Sequence, residues 1–199
     1  MKNILWVIAA LVIGCSTKKE TAPALIVDNF ILDSLLQYNS EAELGLRFGA
    51  ENITQDTAYY PEGMGTYQVT LLYPGTNNQV DFTWKDTIAF QTLQSFTVSN
   101  DSSNWSTTLG AKVGSSLTDI IRINGKDFTF SGFGWDYGGT AVFGEGDQLN
   151  NLALIFDPGT YELKEVEMDS LSGDRSISSA SQLARKVNPI VSQIIVSKN

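Results

Sequence analysis

The residues best placed to do chemistry in this chain are aromatic. The densest run is Phe128-Thr129-Phe130-Ser131-Gly132-Phe133-Gly134-Trp135-Asp136-Tyr137-Gly138-Gly139. Phe128 and Phe130 share one strand parity and Phe133, Trp135 and Tyr137 share the other, so the register changes at Ser131-Gly132, where glycine suits a bulge or a bend. Three rings at alternate positions of an extended strand would form a platform able to stack a sugar or a partner's apolar side chain, with Asp136 beside them to accept a hydrogen bond. The same spacing fills cores, which is the commoner use of large aromatics. Phe133, Trp135, Asp136 and Tyr137 are therefore the candidate ligand- or partner-binding residues, with core packing as the alternative.

Other chemistry finds little support. Paired carboxylates set roughly 5–10 Å apart can cleave glycosides, and Asp136, Glu145, Asp147 and Asp157 lie near the aromatic run, but no spacing singles out a pair. Asn100 to Asn104 and Asp169 to Asp174 are rich in oxygen ligands without the order of a calcium loop, so they are expected to be ordinary loops. The glycines of the run do not form a dinucleotide fingerprint, and no phosphate-binding Gly-Lys-Ser/Thr loop exists. The 199 residues contain no histidine, which removes the Ser-His-Asp triad, the Cys-His dyad and the histidine-ligated zinc centre. With one cysteine, no intrachain disulfide and no Cys-x-x-Cys redox site is possible. A net charge of −9 opposes a nucleic-acid groove, which needs clustered Lys and Arg. The expectation is a non-enzymatic protein without catalytic residues, metal, cofactor, nucleotide or nucleic acid.

That single cysteine, Cys15, has a telling position. Lys2 is followed by the apolar stretch Ile4 to Ile13 and then Gly14-Cys15. A basic start, a short apolar stretch and a small residue make a signal-peptide pattern, and the stretch falls short of the ~20 apolar residues of a membrane span. Val12-Ile13-Gly14-Cys15 resembles the lipobox of bacterial lipoproteins, which implies lipid attachment at Cys15; Ile13 is bulkier than the usual residue there. Several acyl chains on one residue anchor far more firmly than one. Ser16, where inner-membrane retention is associated with aspartate, points to the outer membrane, facing the periplasm or the surface.

The elements that must position the aromatic run show a repeated plan. Ser40 to Gly49 and Ser116 to Gly125 each open on serine with an acid three residues later and close on glycine, the pattern of a capped helix of about two turns. The acid of the second copy is aspartate, whose reach back should be the weaker. Each helix leads to a glycine-rich run, Gly63-Met64-Gly65-Thr66 or Gly138-Gly139-Thr140, from which a hairpin pattern starts. Tyr67, Val69, Leu71 and Tyr73 alternate outward and Val80, Phe82 and Trp84 back; Val142-Phe143 and Leu152, Leu154 and Phe156 make the second pair. Ile88 to Val98, with Ile88, Phe90, Phe96 and Val98 on one parity, and Ile190 to Val196 supply a closing strand for each half. Further helices are expected near Leu32–Leu36 and over Ser181 to Val187, the latter stopped by Asn188-Pro189. The predicted class is α+β, short helices on antiparallel sheet in two related halves. Residues 1–14 would be the removed signal peptide, 15–23 a lipid-attached tether, 24–103 the first half-repeat and 104–199 the second.

Val113 to Thr140, Asn104 to Gly110 and Phe48 to Asp86 resemble a family of uncharacterised exported bacterial proteins carrying a similar helix, then Asn-Gly-Lys-x-Phe and Gly-Phe-x-Trp-Asp-Tyr-Gly-Gly. That family brings no established activity. The tandem helix-and-strand plan is also similar, in architecture alone, to tandem beta-lactamase inhibitor proteins and small outer-membrane assembly lipoproteins, which bind other proteins. The expected function is a membrane-anchored envelope module that binds a protein or other envelope component, with carbohydrate binding or glycan processing as the alternative.

Overall fold

The computed structural model describes residues 30–59, 65–159 and 164–198. Cys15, with the residues expected to form a signal peptide and a tether, lies outside the described residues. The chain is α+β: short helices cover one antiparallel sheet of seven strands, and two further short strands form a separate pair.

A 3₁₀ turn, Leu32–Gln37, buries Leu32 and Leu35 in place of an α-helix. Helix α1, Glu41–Phe48, then buries Leu44 and Phe48, and α2, Leu117–Asn124, buries Leu117 and Ile120. Both predicted serine caps are present: Ser40 Oγ accepts from Glu43 N and Ser116 Oγ from Asp119 N, each at 3.2 Å. The return bonds reverse the expectation. Asp119 Oδ2 accepts from Ser116 N at 3.3 Å and completes the reciprocal cap, whereas Glu43 Oε2, one methylene longer, passes the cap residue and accepts from Asn39 N at 2.6 Å. At its far end α2 stops at Gly125, which adopts φ +77°.

In the first half β1 (Ile53–Tyr59), β2 (Thr66–Leu72), β3 (Val80–Asp86) and β4 (Gln91–Val98) run as an antiparallel meander. In the second, β6 (Thr140–Val142) and β7 (Leu152–Asp157) form a hairpin that joins β9 (Ile190–Ser197). Helix, hairpin and closing strand thus recur in chain order, and the closing strands β4 and β9 pair with each other, Phe96 opposite Val196. One continuous core takes residues from both halves.

Two strand assignments need correction. On β2 the core face belongs to Thr70 and Leu72, opposite Phe82 and Val80, while Val69 and Leu71 lie on the other face opposite Thr83 and Asp81. Thr70 is inside because its hydroxyl accepts the indole N–H of Trp84 at 2.9 Å and donates to Glu41 Oε2 at 2.6 Å, so a polar residue occupies a position that hydropathy assigns to solvent. Ile88 belongs to the turn before β4 and is 91% exposed. The core side chains of β4 are Leu93, Phe96 and Val98, and the register shift between Thr83 and Trp84 accounts for the odd spacing.

The rest of the second half packs against this sheet. Helix α3, Glu165–Leu171, leads to β8, Ser176–Ser178, and α4, Gln182–Val187, follows, capped by Ser181 and ended by Asn188 at φ +48°. Asn188 Oδ1 accepts from both Thr118 N and Thr118 Oγ, fastening the end of α4 to the start of α2. No described helix is long and apolar enough to cross a membrane.

Candidate functional site

The aromatic run begins on β5, Thr129–Ser131, which pairs with β8. Phe130 enters the core, where its ring lies 5.7 Å from those of Phe133 and Phe156. The predicted change of register at Ser131-Gly132 is a departure from the strand: Gly132 N donates to Arg175 O and Phe133 N to Leu171 O, at 2.9 and 2.7 Å. A Cβ on Gly132 would stand 2.6 Å from Gly173 O, so the two chain segments pass this closely only with glycine between them.

From Gly134 the chain turns back toward β6. Gly138 N donates to Trp135 O at 2.8 Å, and Gly139 is held on both sides, its N–H donating to Ser131 O and its carbonyl accepting from Phe156 N, each at 2.9 Å. Gly139 has φ +75°, and a Cβ there would come within 2.0 Å of Phe156 O. The glycines of Trp-Asp-Tyr-Gly-Gly therefore fix a turn between Ser131 of the small sheet and Phe156 of the large one.

The four candidate residues divide. Phe133 is 7% exposed and belongs to the core, whereas Trp135 and Tyr137 are 36% and 47% exposed. Their rings meet edge to face, with centroids 5.4 Å apart and planes at 69°. The Trp135 indole N–H donates to Gly132 O at 2.7 Å, which fixes the ring on its own turn. Asp136 is exposed and makes no hydrogen bond or ion pair with the described residues. The expected three-ring platform is thus a two-ring ridge, because the strand that would have carried all three ends at Ser131.

Beside the ridge lies an open cleft of about 400 Å³ lined by Phe133, Trp135, Ile155, Phe156, Pro158 and Met168, with Asp157, Ser172 and Ser192 as its polar groups. Met168 comes from α3 and is 49% exposed. That helix is seated by Leu171 in the core and by Glu167, which accepts from Lys186 Nζ at 2.6 Å and from Lys164 N at 3.1 Å. The hydrogen bond from Lys186, with that from Lys164 N, holds the Glu167 carboxyl below the ordinary glutamate range.

The acids near the run do not gather. Asp157 lines the cleft and Asp136 stands on the ridge, while Glu145 belongs to another cleft at the end of the β6/β7 hairpin. Asp147 pairs with Lys126 at 3.0 Å and accepts from Gly144 N and Asn124 Nδ2, and these bonds, that from Lys126 first, hold its carboxyl below the ordinary range. Among the described residues no three His, Cys, Asp or Glu side chains are grouped to hold a metal ion. Ile155, Pro158 and Met168 escaped the sequence reading. Met168 alone left a trace, in the alternation of acids and apolar residues over Glu165-Val166-Glu167-Met168.

No protein-family model matches the chain, and no curated protein matches it. Among solved structures it is similar to the uncharacterized protein yfeY from Escherichia coli, with a TM-score of 0.39 and 14% sequence identity over 73% of this chain and 79% of that one.

Proposed function

We propose that this protein is a lipid-anchored lipoprotein of the bacterial envelope that binds another envelope protein, without catalysing a reaction, through the Trp135–Tyr137 ridge and the cleft beside it. The observation that carries the proposal is the exposure of two large rings on a turn whose backbone is pinned to both sheets. Such a surface is ordered before a partner arrives, so binding loses little conformational entropy in the rings. Aromatic residues and methionine are the side chains that protein interfaces favour at their centres, and here Trp135 meets the Tyr137 ring and lines the cleft with Met168. The lining of the cleft suits an apolar side chain better than a sugar. One of its polar groups is already engaged, Ser192 Oγ donating to Ile155 O. The anchor rests on the sequence around Cys15.

Cys15→Ser is expected to release the protein from the membrane fraction and to abolish incorporation of a clickable palmitate analogue; unchanged labelling would overturn the anchor. For the binding surface, brief fixation of cells and isolation of the full-length protein should recover one envelope protein in near-equal amount. That recovery should fall about tenfold or more in a Trp135→Ala/Tyr137→Ala variant of unchanged stability, as for loss of a central interface anchor. Equal recovery from both would overturn the assignment of the ridge.

A further inference from the structure

We propose that the ridge and cleft take a basic segment of the partner, with a lysine or arginine side chain laid against the Trp135 and Tyr137 rings and its cationic head among carboxylates. This rests on the binding role proposed above and adds the chemistry of the partner. Because the Trp135 N–H is consumed by Gly132 O, the exposed ring offers its π surface, the part of an indole that attracts a cation. Tyr137, edge to face with it at 5.4 Å, supplies a second ring. Asp157 is the one charged side chain among the described residues that line the cleft. Asp136 lies between the two rings in sequence and has no partner among the described residues. On α3, Glu165 and Asp169 lie three residues before and one residue after Met168, and neither carboxylate makes a hydrogen bond or ion pair with the described residues. The chain's net charge of −9 attracts a basic partner at longer range. Ile155, Pro158 and Met168 form an apolar floor of the kind that the methylene stem of lysine or arginine covers while its head stays in water.

The test uses the full-length protein in uncharged detergent micelles and two fluorescent peptides of the same leucine and serine content, one with lysines and one with glutamates at the same positions. By anisotropy the lysine peptide is expected to bind about tenfold or more tightly than its counterpart, with the gap narrowing as salt rises. Trp135→Ala and Asp136→Asn/Asp157→Asn should each weaken the lysine peptide several-fold while thermal unfolding shows the variants folded. The asparagine pair keeps the shape of the surface and serves if the alanine variant does not fold. Lysine-peptide binding that ignores these substitutions would trace the attraction to net charge alone and overturn the proposal. Equal binding of both peptides, lost in Trp135→Ala, would overturn the basic partner and leave the recognition surface standing. Binding of neither peptide would also overturn it, with the surface itself judged by the recovery experiment above.

Discussion

Trp84 and Trp135 each satisfy the indole N–H inside the fold, the first on Thr70 Oγ at 2.9 Å and the second on Gly132 O at 2.7 Å, yet their rings are 1% and 36% exposed. Both stand in aromatic runs with alternate spacing, Phe82-Thr83-Trp84 and Phe133-Gly134-Trp135. What separates them is the backbone on either side. Trp84 lies on a strand paired on both edges, with Phe82 stacked at 5.8 Å and a sheet face closed over by helices. Trp135 lies past the end of β5, in a turn whose glycines bring main chain to main chain and leave the ring no layer above it. Alternation determines which rings share a side of a strand, and only the continuation of that strand into a covered sheet determines which are buried.

The contrast should break most visibly at Trp84. Trp84→Ala is expected to cost about 3–5 kcal/mol, read as a lowered urea midpoint, because it empties a filled core site. An effect under about 1 kcal/mol would show that this ring does not help to hold the sheet. Gly139→Ala should follow at about 2–3 kcal/mol, since the methyl group meets Phe156 O and the residue must keep φ +75°. Thr70→Val keeps the shape of the side chain but strips the partner from the Trp84 N–H and from Glu41 Oε2, for a loss of about 1–3 kcal/mol in the same assay. Trp135→Ala should change stability by less than about 1 kcal/mol, because its ring stands outside the core. A loss as large as that of Trp84→Ala would return Trp135 to the core and end the contrast.

The smallest effect concerns the helix that carries Met168. Glu167 has its pKa lowered in the folded state, so its contribution is present above the ordinary glutamate range and fades as pH falls through the lowered value. Asp119 and Asp147 act in the same direction. Glu167→Gln should therefore make the acid loss of stability slightly shallower than in wild type, measured as melting temperature against pH. A steeper acid limb in the variant would contradict the assigned sign.

Much of the fold was legible where local chemistry decides it. The serine caps of α1 and α2, the stop of α4 at Asn188 and the inward Val80, Phe82 and Trp84 each follow from a short stretch of chain. What escaped depends on distant partners. Thr70 is buried because an indole and a carboxylate meet at its hydroxyl, and β8 is a strand through its pairing with β5, far back in the chain. Of the candidate site, sequence located the ring pair and Asp136. It could not separate Phe133 from them, because that separation is made by the bonds of Gly132 and Phe133 to Arg175 and Leu171, some forty residues away. The cleft was hidden for the same reason, its walls coming from β7, Pro158 and α3.

The most direct measurement replaces Tyr137 with a photo-crosslinking residue in the full-length protein in intact cells, with a probe at Ile88, which is 91% exposed in the first half, as the matched control. A ridge made for recognition predicts a discrete protein adduct from position 137 and none of that mass from position 88. With both variants folded and at the membrane, the absence of any adduct from 137, or the same adduct from both positions, would contradict it.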